Sequence, residues 1–186
     1  MPSTSMPPTH WCRRASRRWN ELAGTCVPLE SLESMRQLVA AYRSSLYLVR
    51  MAGGARVILR VGGDAPTGIR EWVGSGGPAR YISACNPASR VLRADENAQR
   101  MDTLRGRLRA TGCQWLEGVA HDARGEWREA GLLVRGIDAS TVDALAREFG
   151  QNATLCVPGA GPVRLCIHPD DWLRLLATDD APSGPG

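Results

Sequence analysis

Apolar residues along this chain change period several times, and each change predicts an element. From Met35 to Ser44 they recur at helical spacing, with Leu38, Ala41 and Tyr42 on one side. Leu46–Arg50 and Ala55–Val61 then read as strands, joined by Gly53-Gly54, a hairpin signal. A glycine-rich stretch from Gly62 to Pro78 holds Trp72 in a helical turn. Next come strand Arg80–Ala84, helix Ala94–Ala110 stopped by Gly112, and strand Cys113–Ala120. A polar turn, His121–Gly131, leads to strand Leu132–Ile137, helix Ser140–Phe149 stopped by Gly150, and strand Ala153–Val157. Strand Val163–Ile167 and a short helix, Asp170–Ala177, close the pattern.

Strand-helix-strand-strand-helix-strand is the order of the ferredoxin-like βαββαβ core. The expected architecture is therefore α+β: a two-layer sandwich with both helices on one face of an antiparallel sheet. An N-terminal helix and hairpin, and a C-terminal strand and short helix, would be additions to it. Met101, Leu104 and Leu108 form one helical stripe; Val142, Leu145, Ala146 and Phe149 form the other. Burying such stripes contributes roughly 1.5–3 kcal/mol per large side chain, enough to fix their pairing with the sheet. One domain is expected over 35–177, with a flexible tail at 178–186. Residues 1–34, rich in Pro, Ser, Thr and Arg, read as a disordered extension or as the product of a start codon upstream of a true start at Met35.

This topology would gather polar loops at one end of the sandwich, beside the N-terminus of the first core helix. Asn86, Glu96, Asn97, His121, Asp122, Trp127, Glu129, Gln151 and Asn152 fall there. The candidate ligand-binding set is Asn86, Glu96, Asn97, Arg100, Glu129, Gln151 and Asn152, at an end suited to a small ligand or anion. Each has a structural alternative. Asn86-Pro87 is an ordinary turn signal. Glu96 is placed to pair with Arg100 or to act as the N3 member of a capping box, incomplete because Arg93 lacks a hydroxyl. Gln151 and Asn152 follow a helix C-cap and can satisfy its carbonyls. Asn97 lies on the Met101-Leu104-Leu108 stripe, where an unpartnered amide costs ~1–3 kcal/mol. It must bond a neighbouring loop, near Asn86, or a ligand. Ser83 alternates away from Ile82 and Ala84, toward the other face of the sheet.

Composition narrows the chemistry. All 23 basic residues are arginine. Without lysine, a Schiff base, a lysine general base and a Walker-type phosphate loop are excluded. The charge is uneven: 16 arginines stand against 9 acidic residues over 35–135, but 3 against 7 over 136–186. Such asymmetry can mark an anionic partner. Against RNA, the strands offer only Tyr81 and Trp115 as obvious stacking aromatics, so nucleic acid is not the favoured partner. Cys12, Cys26, Cys85, Cys113, Cys156 and Cys166 lack zinc-knuckle spacing, and His10, His121 and His168 are scattered. No metal or other cofactor is expected. A Cys85–His121 catalytic pair is the weakest reading considered. No apolar run approaches the ~20 residues that span a bilayer, and no apolar h-region follows the paired arginines near the N-terminus. No membrane association is expected, the location is read as cytoplasmic, and disulfides are not anticipated.

Several blocks together carry a family resemblance: Tyr81-Ile82-Ser83-Ala84-Cys85-Asn86-Pro87, Glu96-Asn97 with Arg100, Leu133-Val134 with Gly136-Ile137-Asp138, and Phe149-Gly150-Gln151-Asn152-Ala153. The stretch Met35–Ile167 resembles a small bacterial family known as domain of unknown function 3293. The resemblance implies a compact bacterial domain without an established activity. The chain departs from that pattern at Arg93, where the family tends to serine, and at Arg128-Glu129-Ala130-Gly131, where it tends to Pro-Glu-Glu-Ser. The leading expectation is a non-catalytic binding module for a small anionic or amide-bearing ligand. The alternatives are a hydrolase using Glu96, Asp122 or Glu129, and a nucleic-acid-associated or protein-docking domain.

Overall fold

The computed structural model describes residues 29–125 and 127–168. Helix α1 (Leu29–Ser44) begins six residues before the periodicity predicts. The hairpin β1 (Leu46–Arg50) and β2 (Arg56–Leu59) turns through Gly53 and Gly54, both at positive φ, a backbone shape that glycine adopts without steric cost. A short helix, α2 (Thr67–Val73), carries Trp72. The remaining elements are β3 (Ala79–Ile82), α3 (Ala94–Thr111), β4 (Gln114–His121), β5 (Arg128–Arg135), α4 (Ala139–Glu148), β6 (Ala153–Val157) and β7 (Arg164–Ile167). Asp138 caps α4, its carboxylate accepting the Thr141 N–H at 2.8 Å. The predicted helix Asp170–Ala177 and the two terminal segments lie outside the described residues.

One seven-stranded sheet joins the strands in the order β2-β1-β4-β5-β3-β6-β7, every neighbouring pair antiparallel. On one face, Met101, Leu104 and Leu108 of α3 and Val142, Leu145 and Ala146 of α4 pack on Ile82, Leu132 and Val134. This is the expected helical layer.

The opposite face departs from a two-layer arrangement. Tyr47, Val49, Leu59, Tyr81, Leu133, Leu155 and Val157 form a second core there, joined by Ile69 and Val73 of α2. Helix α1 covers the other end of that face through Leu38, beside Leu165 and Ile167. Alternation makes the cover necessary: these strands are apolar on both faces, and each side chain left wet would forgo roughly 1.5–3 kcal/mol.

A second departure decides the site. The polar turn spans only Asp122–Trp127, because β5 starts at Arg128 rather than at Leu132. β4 and β5 pair over eight residues each, from Gln114↔Arg135 to His121↔Arg128. Glu129, Ala130 and Gly131 are strand residues. Strand alternation sends Ala130 to the helical face and Glu129, Gly131 and Leu133 to the other.

Candidate functional site

Tyr81 organises the second face. Its ring meets Tyr47 edge-on, with centroids 5.2 Å apart at 73°. It lies across Gly118 and Gly131, which stand directly opposite each other on β4 and β5. A Cβ on Gly131 would sit 2.5 Å from two atoms of that ring system. Glycine in a strand interior marks a close approach of this kind, and here the bare backbone makes room for the phenol.

Next to this pair a pocket of about 50 Å³ opens between α1 and the sheet. Leu38, Tyr42, Tyr47, Tyr81, Leu155 and Leu165 form its apolar and aromatic walls, with Trp127 at the turn. Ser83, Asn86, Ser89, Glu129, Gln151 and Asn152 supply its polar lining. Among the described residues that line it, Glu129 bears the only formal charge.

Glu129 accepts a 3.0 Å hydrogen bond from Asn86 Nδ2. Burial pushes its carboxyl up to about 7, with hydrogen bonding by Ser83 and Asn86 acting in the opposite sense. Beside it the Cys85 thiol rises to about 11, chiefly through burial, next through the nearby Glu129 charge. Burial thus disfavours the thiolate that a Cys85–His121 nucleophile pair would need. His121 instead places Nδ1 2.8 Å from the Asp122 carbonyl.

The loop that brings Asn86 here is left-handed at three non-glycine residues: Asn86 (φ 47°), Ala88 (φ 49°) and Ser89 (φ 59°). Such backbone persists only where its surroundings over-determine it. The holding bonds are visible. Asn97 Oδ1 accepts the Asn86 N–H at 2.9 Å, and Asn97 Nδ2 donates to Asn86 Oδ1 at 2.9 Å. Asn86 Oδ1 also accepts the Leu92 N–H at 3.0 Å. The Ala88 N–H reaches the Gly150 carbonyl at 2.7 Å, and Gln151 Nε2 donates to the Cys85 carbonyl at 2.8 Å. Asn152 Nδ2 donates to Ser89 Oγ at 3.1 Å and to the Tyr42 hydroxyl oxygen at 3.2 Å, fastening α1 to the loop.

The predicted residues therefore gather at one end, in different employments. Asn86, Glu129, Gln151 and Asn152 line the pocket. Asn97 reaches it only through Asn86, as an interlocked amide pair. Arg100 turns away from Glu96: its Nε donates to the Ala84 carbonyl and an Nη to the Phe149 carbonyl, each at 2.6 Å. Its guanidinium also lies 5.6 Å from the Phe149 ring centre. Glu96 is exposed and accepts the Arg93 N–H at 2.9 Å, the half of a capping box that Arg93 permits. Asp122 accepts the Trp127 N–H at 3.2 Å and shapes the turn.

Of the aromatic wall, the sequence placed only Trp127 at this end; Tyr42, Tyr47 and Tyr81 were not expected there. Gly118, inside the strand expected over Cys113–Ala120, was the available signal: a glycine in a strand interior marks the close approach of another group. Replacing Asn97 by alanine is expected to cost about 1–3 kcal/mol, since Asn86, in a strained loop, loses the partner of its backbone N–H and one of the two donors to its Oδ1. Urea unfolding measures this, and an unchanged midpoint would show that the amide pair does not hold the loop.

Fold and pocket together define a class: an α+β domain with one half-buried carboxyl in an aromatic-walled pocket. Residues 82–154 match the model of a family described as protein of unknown function, DUF3293, so this segment resembles that family. The match is shorter than the stretch Met35–Ile167, and contains all seven predicted site residues but not Tyr42, Tyr47 or Tyr81. No curated protein and no solved structure matches the chain. Among the described residues there is no cluster of His, Cys, Asp and Glu suited to a metal, and no helix long and apolar enough to cross a membrane.

Proposed function

We propose that the protein is a non-catalytic binding module whose pocket, between α1 and the sheet, takes a small ligand with an apolar body and a hydrogen-bond-donating head. One observation carries this reading: Glu129 is the sole charge lining a mostly apolar pocket, where a carboxylate already bonded by Asn86 still gains from a further donor on a ligand. An anionic ligand is disfavoured, because Arg100 is engaged by two carbonyls and no basic side chain is among the described lining residues. An amide-bearing or amine-bearing head fits better. The spatial order β6-β3-β5-β4, antiparallel throughout, supports a ferredoxin-like reading of the core, with α1 added as the roof of the pocket. Four unpaired cysteines among the described residues agree with a reducing, cytoplasmic location.

The test is a thermal-shift screen of the full chain against small metabolites, repeated with Glu129→Gln. Ligands that raise the wild-type melting temperature are expected to lose most of that effect in the variant. Equal shifts in both proteins would place binding elsewhere.

A second reading, an enzyme, is favoured by one observation: a pocket carboxyl near 7 can both take up and release a proton. Of the three carboxylates considered, Glu96 caps a helix and Asp122 shapes a turn, which leaves Glu129. Turnover of any screening hit, lost in Glu129→Gln, would favour catalysis over binding alone.

A further inference from the structure

We infer that the pocket holds the ammonium head of a small aliphatic amine, paired with the Glu129 carboxylate and seated against the rings of Tyr47, Tyr81 and Trp127. This rests on the binding reading above and names the ligand's chemistry.

The sign of charge comes first. The chain carries 23 arginines, yet none lies among the described residues lining the pocket, where Glu129 is the sole formal charge. A carboxylate on the ligand would meet that charge in a poorly solvated site, with no compensating cation. An ammonium would neutralise it at short range, where the low dielectric strengthens the attraction.

The walls agree with the sign. An aromatic face attracts a cation through its quadrupole, the physical basis of aromatic cages for alkylammonium groups. Tyr47 and Tyr81 present two such rings at 73° to one another, and Trp127 adds indole surface.

The Tyr81 hydroxyl supplies the independent observation. Tyr81 is 4% exposed and lines the pocket, yet its oxygen has no hydrogen-bond partner among the described residues. Buried hydroxyls seldom go unpaired. This oxygen reaches Gly131, which shares a face of β5 with Glu129 two residues away, at a spacing of about 7 Å along the strand. The oxygen has almost no accessible surface, so a head group beside Glu129 donates to it only as the Tyr81 ring turns toward the pocket. An ammonium has three donors and no acceptor, which suits a carboxylate and a phenol oxygen together. At about 50 Å³ the space admits such a head, with its alkyl stem along Leu38, Leu155 and Leu165.

The experiment titrates the full chain, by NMR at pH 8, with n-butylammonium, n-butanol and butyrate, three probes of similar shape and different charge. Butylammonium is expected to bind at least ~10-fold more tightly than butanol, and butyrate more weakly than either. Glu129→Gln should reduce butylammonium affinity at least ~10-fold. Tyr81→Phe should reduce it several-fold without lowering the melting temperature, since the hydroxyl it removes bonds none of the described residues. A merely structural hydroxyl would do the reverse. A lysine side chain presented as the Nα-acetyl methylamide separates the two sources of an ammonium: comparable binding points to a protein-borne lysine, free amine alone to a metabolite. Tighter binding of butanol or butyrate in this pocket overturns the ammonium inference and leaves the binding reading standing. If none of these probes binds and the metabolite screen is also negative, the binding reading itself falls.

Discussion

Between pH 4.5 and 7 the native protein is expected to lose up to about 3 kcal/mol of stability as pH rises, and Glu129→Gln is expected to abolish that loss. The Glu129 carboxyl sits at about 7 in the fold against an ordinary 4.5, because burial favours its neutral form. Across that window the folded state holds a proton that the unfolded state has released. Its contribution is complete below pH 4.5, declines through the window, and is gone above about 7. At ~1.36 kcal/mol per pH unit the ceiling is about 3 kcal/mol. The groups facing Glu129 do not share the window. Tyr47 and Tyr81, on β1 and β3, are raised well above their usual range by burial, and the Cys85 thiol is raised to about 11. Ser83 and Asn86 do not titrate. His168 is lowered from its ordinary 6.5, mainly by its own burial, and works in the opposite direction. Comparison of wild type with Glu129→Gln cancels it. Urea unfolding followed by tryptophan fluorescence at pH 4.5, 6, 7 and 8 gives both curves. Parallel curves would mean that Glu129 titrates as an exposed carboxylate.

Gly131→Ala should cost about 3 kcal/mol, at the upper end for overpacking. The added methyl carbon would stand 2.5 Å from the Tyr81 Cζ and hydroxyl oxygen and 2.6 Å from Cε1. The ring cannot retreat, since Tyr47 lies against it and Gly118 brings a second strand close to its other edge, at 2.7 Å from a Cβ placed there. If this collision is the cause, Tyr81→Ala should nearly erase the effect of Gly131→Ala, so that the pair is strongly non-additive. Denaturant midpoints of the two single variants and the double variant decide it. An additive pair would refer the cost to the β4–β5 backbone instead.

Particular elements show how much was legible in the chain. β1 and β6 coincide with their predicted limits because each is a short apolar run bounded by unmistakable punctuation. The stripes of α3 and α4 were equally plain, since 3.6-residue periodicity survives any tertiary context. β5 was misread at its start. Arg128-Glu129-Ala130-Gly131 has the composition of a turn, and only pairing with the full length of β4 holds it in a strand. That error hid the geometry of the site: in a turn Glu129 is a solvated carboxylate, in a strand it faces Tyr81. The amides raised a different difficulty. Asn97 visibly needed a partner, but one sequence cannot distinguish a partner in the protein from a partner outside it. The fold supplies Asn86.

Local pattern by itself therefore determined the identity and order of most elements, the apolar stripes, the absence of lysine chemistry and the end at which polar loops meet. Tertiary structure alone decided which polar group faces a pocket. Strand register chose the face on which Glu129 lies, the Gly118–Gly131 pair admitted the Tyr81 ring beside it, and α1 closed the space above. The physical reason is that periodicity is a property of neighbours in sequence. The burial that shifts a carboxyl is a property of neighbours in space, contributed here by α1, β1, β3 and β5.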